Sequence, residues 1–221
     1  MYKNLIFVQI LLKDKKEMKF FVTGIGTDVG KTIVSAILTE ALQADYWKPI
    51  QSGDLDNTDT DKVKKLVSNP TSVFHPSSYC LQTPASPHYA AELDGVTIDI
   101  MKIKEPKTKN HLVIEGAGGI YVPLNAQHTI LDLIQPDYKV IVISRHYLGS
   151  INHTLMTLDV LKNKGLEVYG VVFNGPENPA SEKIILEKTG VRMLGRIEPE
   201  PYFDQNVVRY YADNFENVLS Y

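Results

Sequence analysis

A lone cysteine, Cys80, is all that the 221-residue sequence holds. This excludes an internal disulfide and any cysteine-rich metal site, and it suits a reducing, cytoplasmic compartment. The six histidines show no His-x-x-x-His or similar spacing, so no histidine metal centre is expected. Basic blocks are missing too: 23 lysines and arginines face 26 aspartates and glutamates, net charge −3, with the lysines scattered. Neither nucleic acid nor an anionic membrane is therefore expected as a partner. No hydrophobic run reaches the roughly 20 residues of a membrane span; the mostly apolar stretch Leu5–Leu12 covers eight residues between lysines. Charged Lys13-Asp14-Lys15-Lys16-Glu17 follows it in place of a small-x-small cleavage site, unlike a signal peptide. Residues 1–17 are expected to be an N-terminal extension outside the core, and residues 18–221 a single domain large enough to bury a full core.

What the sequence does have begins at Phe20-Phe21-Val22-Thr23-Gly24-Ile25-Gly26-Thr27-Asp28-Val29-Gly30-Lys31-Thr32. Met18 to Thr23 is short and apolar, as a buried parallel strand would be. Ile33, Val34, Ile37, Leu38, Ala41 and Leu42 then recur at helical spacing. A strand thus feeds a glycine-rich loop and then a helix, so the loop amides face whatever anion sits at the helix N-terminus. In such a cradle Lys31 reaches the outer phosphates of a nucleotide, and the Thr32 hydroxyl reaches a magnesium ion. The usual pattern has four residues between the first glycine and Gly-Lys; here Gly24 leaves five.

Further along, Asp45 to Ile50 reads as a strand that ends where Pro49 forbids continued pairing, with Lys48 at its tip. An acidic loop follows, carrying Asp54, Asp56, Asp59 and Asp61 before a helical turn at Val63, Leu66 and Val67. Residues 68–110 show no sustained periodicity. That span is too long for a simple connection and should contain short helices or a functional loop, with a helix starting near Tyr89. His111 to Glu115 is a strand ending in a carboxylate, and Gly116-Ala117-Gly118-Gly119 would let a ligand approach the backbone. Strands at 139–144, 168–173 and 191–197 alternate with helices, one of them N-capped by Ser150 and ending at Gly165.

This rhythm predicts an α/β fold in three layers, a mostly parallel central sheet with helices on both faces. Ligands in such sheets lie beyond the carboxyl ends of the strands. The Gly24 loop, Lys48, Glu115, Ser144 and Asn174 all fall at or just beyond such ends. An amide cradle, two lysines, a hydroxyl and acidic groups suit phosphoryl transfer, where catalysis consists mainly of positioning and fixed charge. A tip carboxylate such as Glu115 can bind or position a metal through water. Lys48 is a second cation that a simple nucleotide-binding module would not need.

At this point the sequence resembles the dethiobiotin synthetases, P-loop ligases that use ATP in biotin synthesis. The resemblance runs from Met18 to about Pro201. It is carried by Thr23-Gly24-x-x-Thr27-Asp28-Val29-Gly30-Lys31-Thr32 with its five-residue spacing, by Lys48-Pro49-x-x-Ser52-Gly53, and by Ser86-Pro87-His88. Glu115-Gly116-Ala117-Gly118-Gly119 and Leu148-Gly149-x-Ile151-Asn152-His153 complete it. The resemblance implies that carbon dioxide adds to one amine of 7,8-diaminononanoate, that ATP phosphorylates the carbamate, and that the second amine closes a cyclic urea. It implies Thr32, Asp61 and Glu115 as magnesium ligands, Asp61 because it is taken to precede the helix. The nucleotide falls to Gly26–Thr32, Glu115, Gly118 and Asn174, with Lys31 and Lys48 on its phosphates. Thr27, Lys48 and Ser52 are implied as diamine or carbamate contacts. Lys48, Lys31 and Thr27 make up the implied catalytic set. The helix start Gly149, Ser150, Ile151 and Asn152 is the implied carboxylate site, supplied across a homodimer. The chain departs from the family in two places: no tyrosine lies between Ala180 and Lys188, and Gly195-Arg196-Ile197-Glu198-Pro199 carries an additional acidic residue near the base. Nucleotide preference is left open by these positions.

The alternative is a dimeric switch ATPase of the partitioning and septum-positioning type. Those proteins carry a signature lysine five residues before the Gly-Lys-Thr lysine, where this chain has Gly26, and they have glycine in the place of Asp28.

Overall fold

The computed structural model describes residues 17–219, and side chains as far as Phe215. Residues 1–16, most of the expected extension, lie outside the described residues. Strand β1 (Lys19–Gly24) leads through the glycine loop into α1 (Lys31–Leu42), and β2 (Asp45–Trp47) and β3 (Ile50–Ser52) follow. Helix α2 (Asp59–Leu66), strands β4 (Phe74–His75) and β5 (Tyr79–Leu81), and helix α3 (Pro87–Leu93) come next. The chain continues with β6 (Leu112–Gly119), β7 (Lys139–Arg145), α4 (Ser150–Asn163), β8 (Val168–Asn174), α5 (Pro179–Thr189), β9 (Met193–Ile197) and α6 (Gln205–Leu219).

Seven strands form one sheet in the order β4-β2-β6-β1-β7-β8-β9, and every pair in it is parallel. Alternation along the strands builds two cores, because successive side chains point to opposite faces. On β1, Phe21 enters one cluster while Phe20 and Val22 enter the other; on β7, Val140 and Val142 oppose Ile141 and Ile143. Leu158, Leu161 and Ile185 of α4 and α5 cover the first face, whereas Val34, Ile37 and Leu38 of α1, with Val208, Tyr211 and Phe215 of α6, cover the second. Both faces are thus closed, as an all-parallel sheet requires.

Three features differ from the sequence reading. The expected strand 45–50 is broken after Trp47: Lys48 and Pro49 separate β2 from β3, which pairs with β5 in a small second sheet. The strand expected to end at Glu115 runs on to Gly119, which leaves Glu115 within β6 rather than at its tip; residues 68–110 hold the expected short helix, α3, together with β4 and β5, and Gly53 N–H donates to Leu81 C=O at 2.8 Å. At α4 the N-cap is Gly149, in the left-handed region at φ 102°, and Ser150 is the first helical residue rather than the cap.

Helix α6 lay outside the elements read from the sequence, although its signal is present. Val208, Tyr211, Ala212 and Phe215 are buried at i, i+3, i+4 and i+7, the spacing of a core-facing stripe. Phe215 is 2 % exposed. Replacing it with alanine should cost about 3–5 kcal/mol, the usual range for a buried aromatic truncated to alanine, read as a lowered midpoint in urea unfolding.

Candidate functional site

Helix α1 starts without a side-chain cap: Gly30 occupies the N-cap position at φ 100°. Its first amides are left to an anion. A side chain at Gly30 would be excluded on two grounds, since the left-handed backbone disfavours it and a Cβ would lie 2.4 Å from Asn174 Nδ2. The same Asn174 nitrogen donates to Val29 C=O at 2.8 Å, so the tip of β8 buttresses the loop from behind. Lys31 folds back, its Nζ donating to Gly26 C=O at 3.0 Å. Burial lowers the Lys31 pKa to about 8, against the raising influence of Glu115.

A cluster of charges forms where β2 ends beside the middle of β6. Trp47 is in register with Ile114, so Lys48 and Glu115 follow one residue on. Lys48 is 5 % exposed and Glu115 1 % exposed. Lys48 Nζ donates to Glu115 Oε1 at 3.0 Å and to Asp59 Oδ2 at 2.5 Å. Burial works to lower the Lys48 pKa, but the two carboxylates win and hold it above the usual lysine range. The converse holds at Asp59: burial works to raise its pKa, and Lys48 and Lys62 bring it below the usual carboxylate range. Thr32 Oγ1 also donates to Glu115 Oε1, at 3.0 Å, and the Tyr46 hydroxyl to Oε2 at 2.8 Å. Burial, with Glu115 beside it, pushes the Tyr46 pKa far up, so this hydroxyl stays a donor.

All of these groups but Tyr46 open onto a cleft of about 770 Å³. Of the residues singled out in the sequence, Thr27, Asp28, Gly30, Lys31, Thr32, Lys48, Ser52, Glu115 and Gly118 line it together, and Ser86 and Pro87 close the opposite wall. Ser52 Oγ is buried with no hydrogen-bond partner, which leaves a polar atom for a ligand to satisfy. Val29 turns into the core at 2 % exposure, so it can meet a ligand only through its backbone. Asn174 stands behind the loop and does not line the cleft; nor do Gly149, Ser150, Ile151 and Asn152.

Asp61 is a correction. Rather than preceding α2 it lies in its first turn, where Thr58 N–H and Oγ1 both donate to its carboxylate and Asp61 N–H donates to Thr58 Oγ1. It is a capping residue, turned away from the cleft. Asp59, two residues earlier, faces Lys48, its N–H donating to Gln51 Oε1 at 3.2 Å. The sequence held a signal for this, because Thr58-x-x-Asp61 has the spacing of a capping box, which assigns Asp61 to the helix end and leaves Asp59 available.

Among the described residues no group of three or more His, Cys, Asp or Glu side chains could hold a metal ion. The Thr32 hydroxyl with the Asp59 and Glu115 carboxylates nevertheless suits magnesium, a hard ion commonly bound through one or two carboxylates, substrate phosphates and water. Asp59→Asn should lower nucleotide turnover by about tenfold or more. Asp61→Ala should leave turnover unchanged and cost about 1 kcal/mol of stability through the lost cap; steady-state assays and urea unfolding separate the two effects.

Residues 18–207 match the family described as an AAA domain. The ATP-dependent dethiobiotin synthetase BioD of Christiangramia forsetii is 57 % identical over 200 residues, covering 90 % of this chain and 97 % of that protein. The protein of the same name from Cytophaga hutchinsonii is 51 % identical over 196 residues, covering 88 % and 95 %. Among solved structures, the Pyrococcus furiosus cell division ATPase MinD superposes with a TM-score of 0.59 at 16 % identity, over 92 % of this chain and all of that one. That likeness shows a shared α/β fold and no more. Identity above half across nearly the whole of both chains decides what fold likeness cannot: the chain belongs to the ATP-dependent dethiobiotin synthetase family.

Proposed function

We propose that the cleft between the glycine loop and the Lys48–Asp59–Glu115 cluster is where this chain makes dethiobiotin from 7,8-diaminononanoate, carbon dioxide and ATP. One observation carries the reading: a buried lysine, bonded to two carboxylates, in the same cleft as the phosphate loop. A nucleotide-binding module needs the loop alone. A ligase that passes a phosphoryl group to a carbamate also needs a fixed cation for the charge that develops between them.

The geometry supports the following roles. The amides of Gly26–Thr32 and the Lys31 ammonium hold the triphosphate, with Glu115 and Gly118 at the edge of its site. Thr27, Lys48 and Ser52 face the diamine and its carbamate, and Ser52 brings the unpartnered hydroxyl. One amine bonds to carbon dioxide and loses a proton to give the carbamate. A carbamate oxygen then takes the γ-phosphoryl group and ADP leaves. The second amine attacks the carbonyl carbon and loses a proton, and phosphate departs as the ring closes. Thr32, Asp59 and Glu115 would hold Mg²⁺, which neutralises charge on the phosphate oxygens.

Gly149, Ser150, Ile151 and Asn152 keep the role of carboxylate site in this reading, since the exposed start of a helix favours an anion. Their position outside the cleft supports supply from a second subunit of a homodimer. So does the exposed apolar surface around them: Tyr121, Leu148 and Met156 are 60 %, 104 % and 56 % exposed. Asn174 contributes by supporting the loop, with the base adjoining it. No described helix is long and apolar enough to cross a membrane, and soluble substrates together with a single cysteine favour the cytoplasm.

Lys48→Ala should retain nucleotide binding and lose turnover by about a hundredfold or more, the scale of removing one transition-state donor; near-normal turnover would refute the role. Lys31→Ala should weaken nucleotide binding itself, measured by calorimetry. Supplying diaminononanoate, labelled bicarbonate, magnesium and separate nucleoside triphosphates should yield acid-stable label. Nucleotide hydrolysis without fixed label would instead favour the conformational switch reading.

A further inference from the structure

Tyr46 is fully buried, belongs to the core on the α1 side of the sheet, and does not line the cleft. Phe74 packs beside its ring at 6.3 Å. A phenylalanine would fill this place equally well, and a hydroxyl in a dry core has to find a partner. Its partner is Glu115. Tyr46 and Lys48 are two residues apart, and both reach Glu115 of the neighbouring strand.

The three donors divide the carboxylate between them. Thr32 and Lys48, which line the cleft, both donate to Oε1 at 3.0 Å. Tyr46 takes Oε2 at 2.8 Å from within the core. A carboxylate with one oxygen tethered on each side has its rotation about the terminal bond fixed. We propose that Tyr46 is a positioning residue for divalent-cation binding, its hydroxyl holding the plane of the Glu115 carboxylate so that Oε1 is presented to the cleft. Partners of this kind orient ligands without touching the ion. The inference rests on the reading of Thr32, Asp59 and Glu115 as cation ligands.

The probe is Mn²⁺ in the presence of ADP, with free Mn²⁺ followed by electron paramagnetic resonance, and ADP affinity measured separately in EDTA. In Tyr46→Phe the Mn²⁺ Kd should rise about tenfold or more, with metal-free ADP affinity unchanged. Phe74→Leu, which alters the packing beside the ring and spares the hydroxyl, should lower Tm and leave the Mn²⁺ Kd alone. An unchanged Mn²⁺ Kd in Tyr46→Phe would overturn the proposal, as would an equal rise in Phe74→Leu. Failure of Tyr46→Phe to fold would also overturn it, by assigning the hydroxyl to the core. Glu115→Gln tests the underlying reading: if it binds Mn²⁺ with ADP as the wild type does, the cation site itself is wrong, whatever Tyr46 does.

Discussion

A buried ammonium group is the constraint around which the site is arranged. Lys48 at 5 % exposure cannot keep its charge in a protein interior without compensation, and the compensation comes from two separate elements. Glu115 is supplied by the middle of a central strand and Asp59 by the first turn of a short helix after an acidic loop. Each of the three groups would be costly to bury alone. Together they hold the helix start after the acidic loop, the tip of β2 and the middle of β6 in one arrangement, next to the phosphate loop.

The parallel sheet makes that arrangement available. All its strands end on one edge, so a lysine following β2, a glutamate on β6 and the loop after β1 meet without any of them being adjacent in sequence. The order β2-β6-β1 places the phosphate loop one strand away from Glu115 and Glu115 one strand away from Lys48. Thr32, at the start of α1, closes the remaining gap with its bond to Glu115. The two apolar cores beneath leave this edge as the polar side of the fold.

Legibility in the sequence followed length and locality. The long apolar strands β1, β6, β7 and β8 and the helix after the glycine loop are carried by runs of side chains whose pattern repeats several times. β3, β4 and β5, at two or three residues each, are too short for a period to show, and tertiary pairing rather than local preference makes them strands. Helix α6 had a readable stripe. Asp61 shows a different failure: four aspartates within a short loop are equivalent by composition, the Thr58-x-x-Asp61 spacing marks only which of them caps the helix, and it is the helical turn that then points the Asp59 carboxylate at Lys48.

The sequence by itself determined the phosphate cradle, the pair of lysines, the glutamate before the second glycine run and the family, because each rests on residue types at fixed local spacing. Only the tertiary structure decided which aspartate joins Lys48, that Tyr46 reaches Glu115 from the core, that Asn174 supports the loop, and that the Gly149–Asn152 helix start stands outside the cleft. The physical reason is that hydrogen bonds between side chains 67 or 69 residues apart, such as Lys48 or Tyr46 to Glu115, depend on the register of neighbouring strands, where a slip of one residue would turn every side chain to the other face.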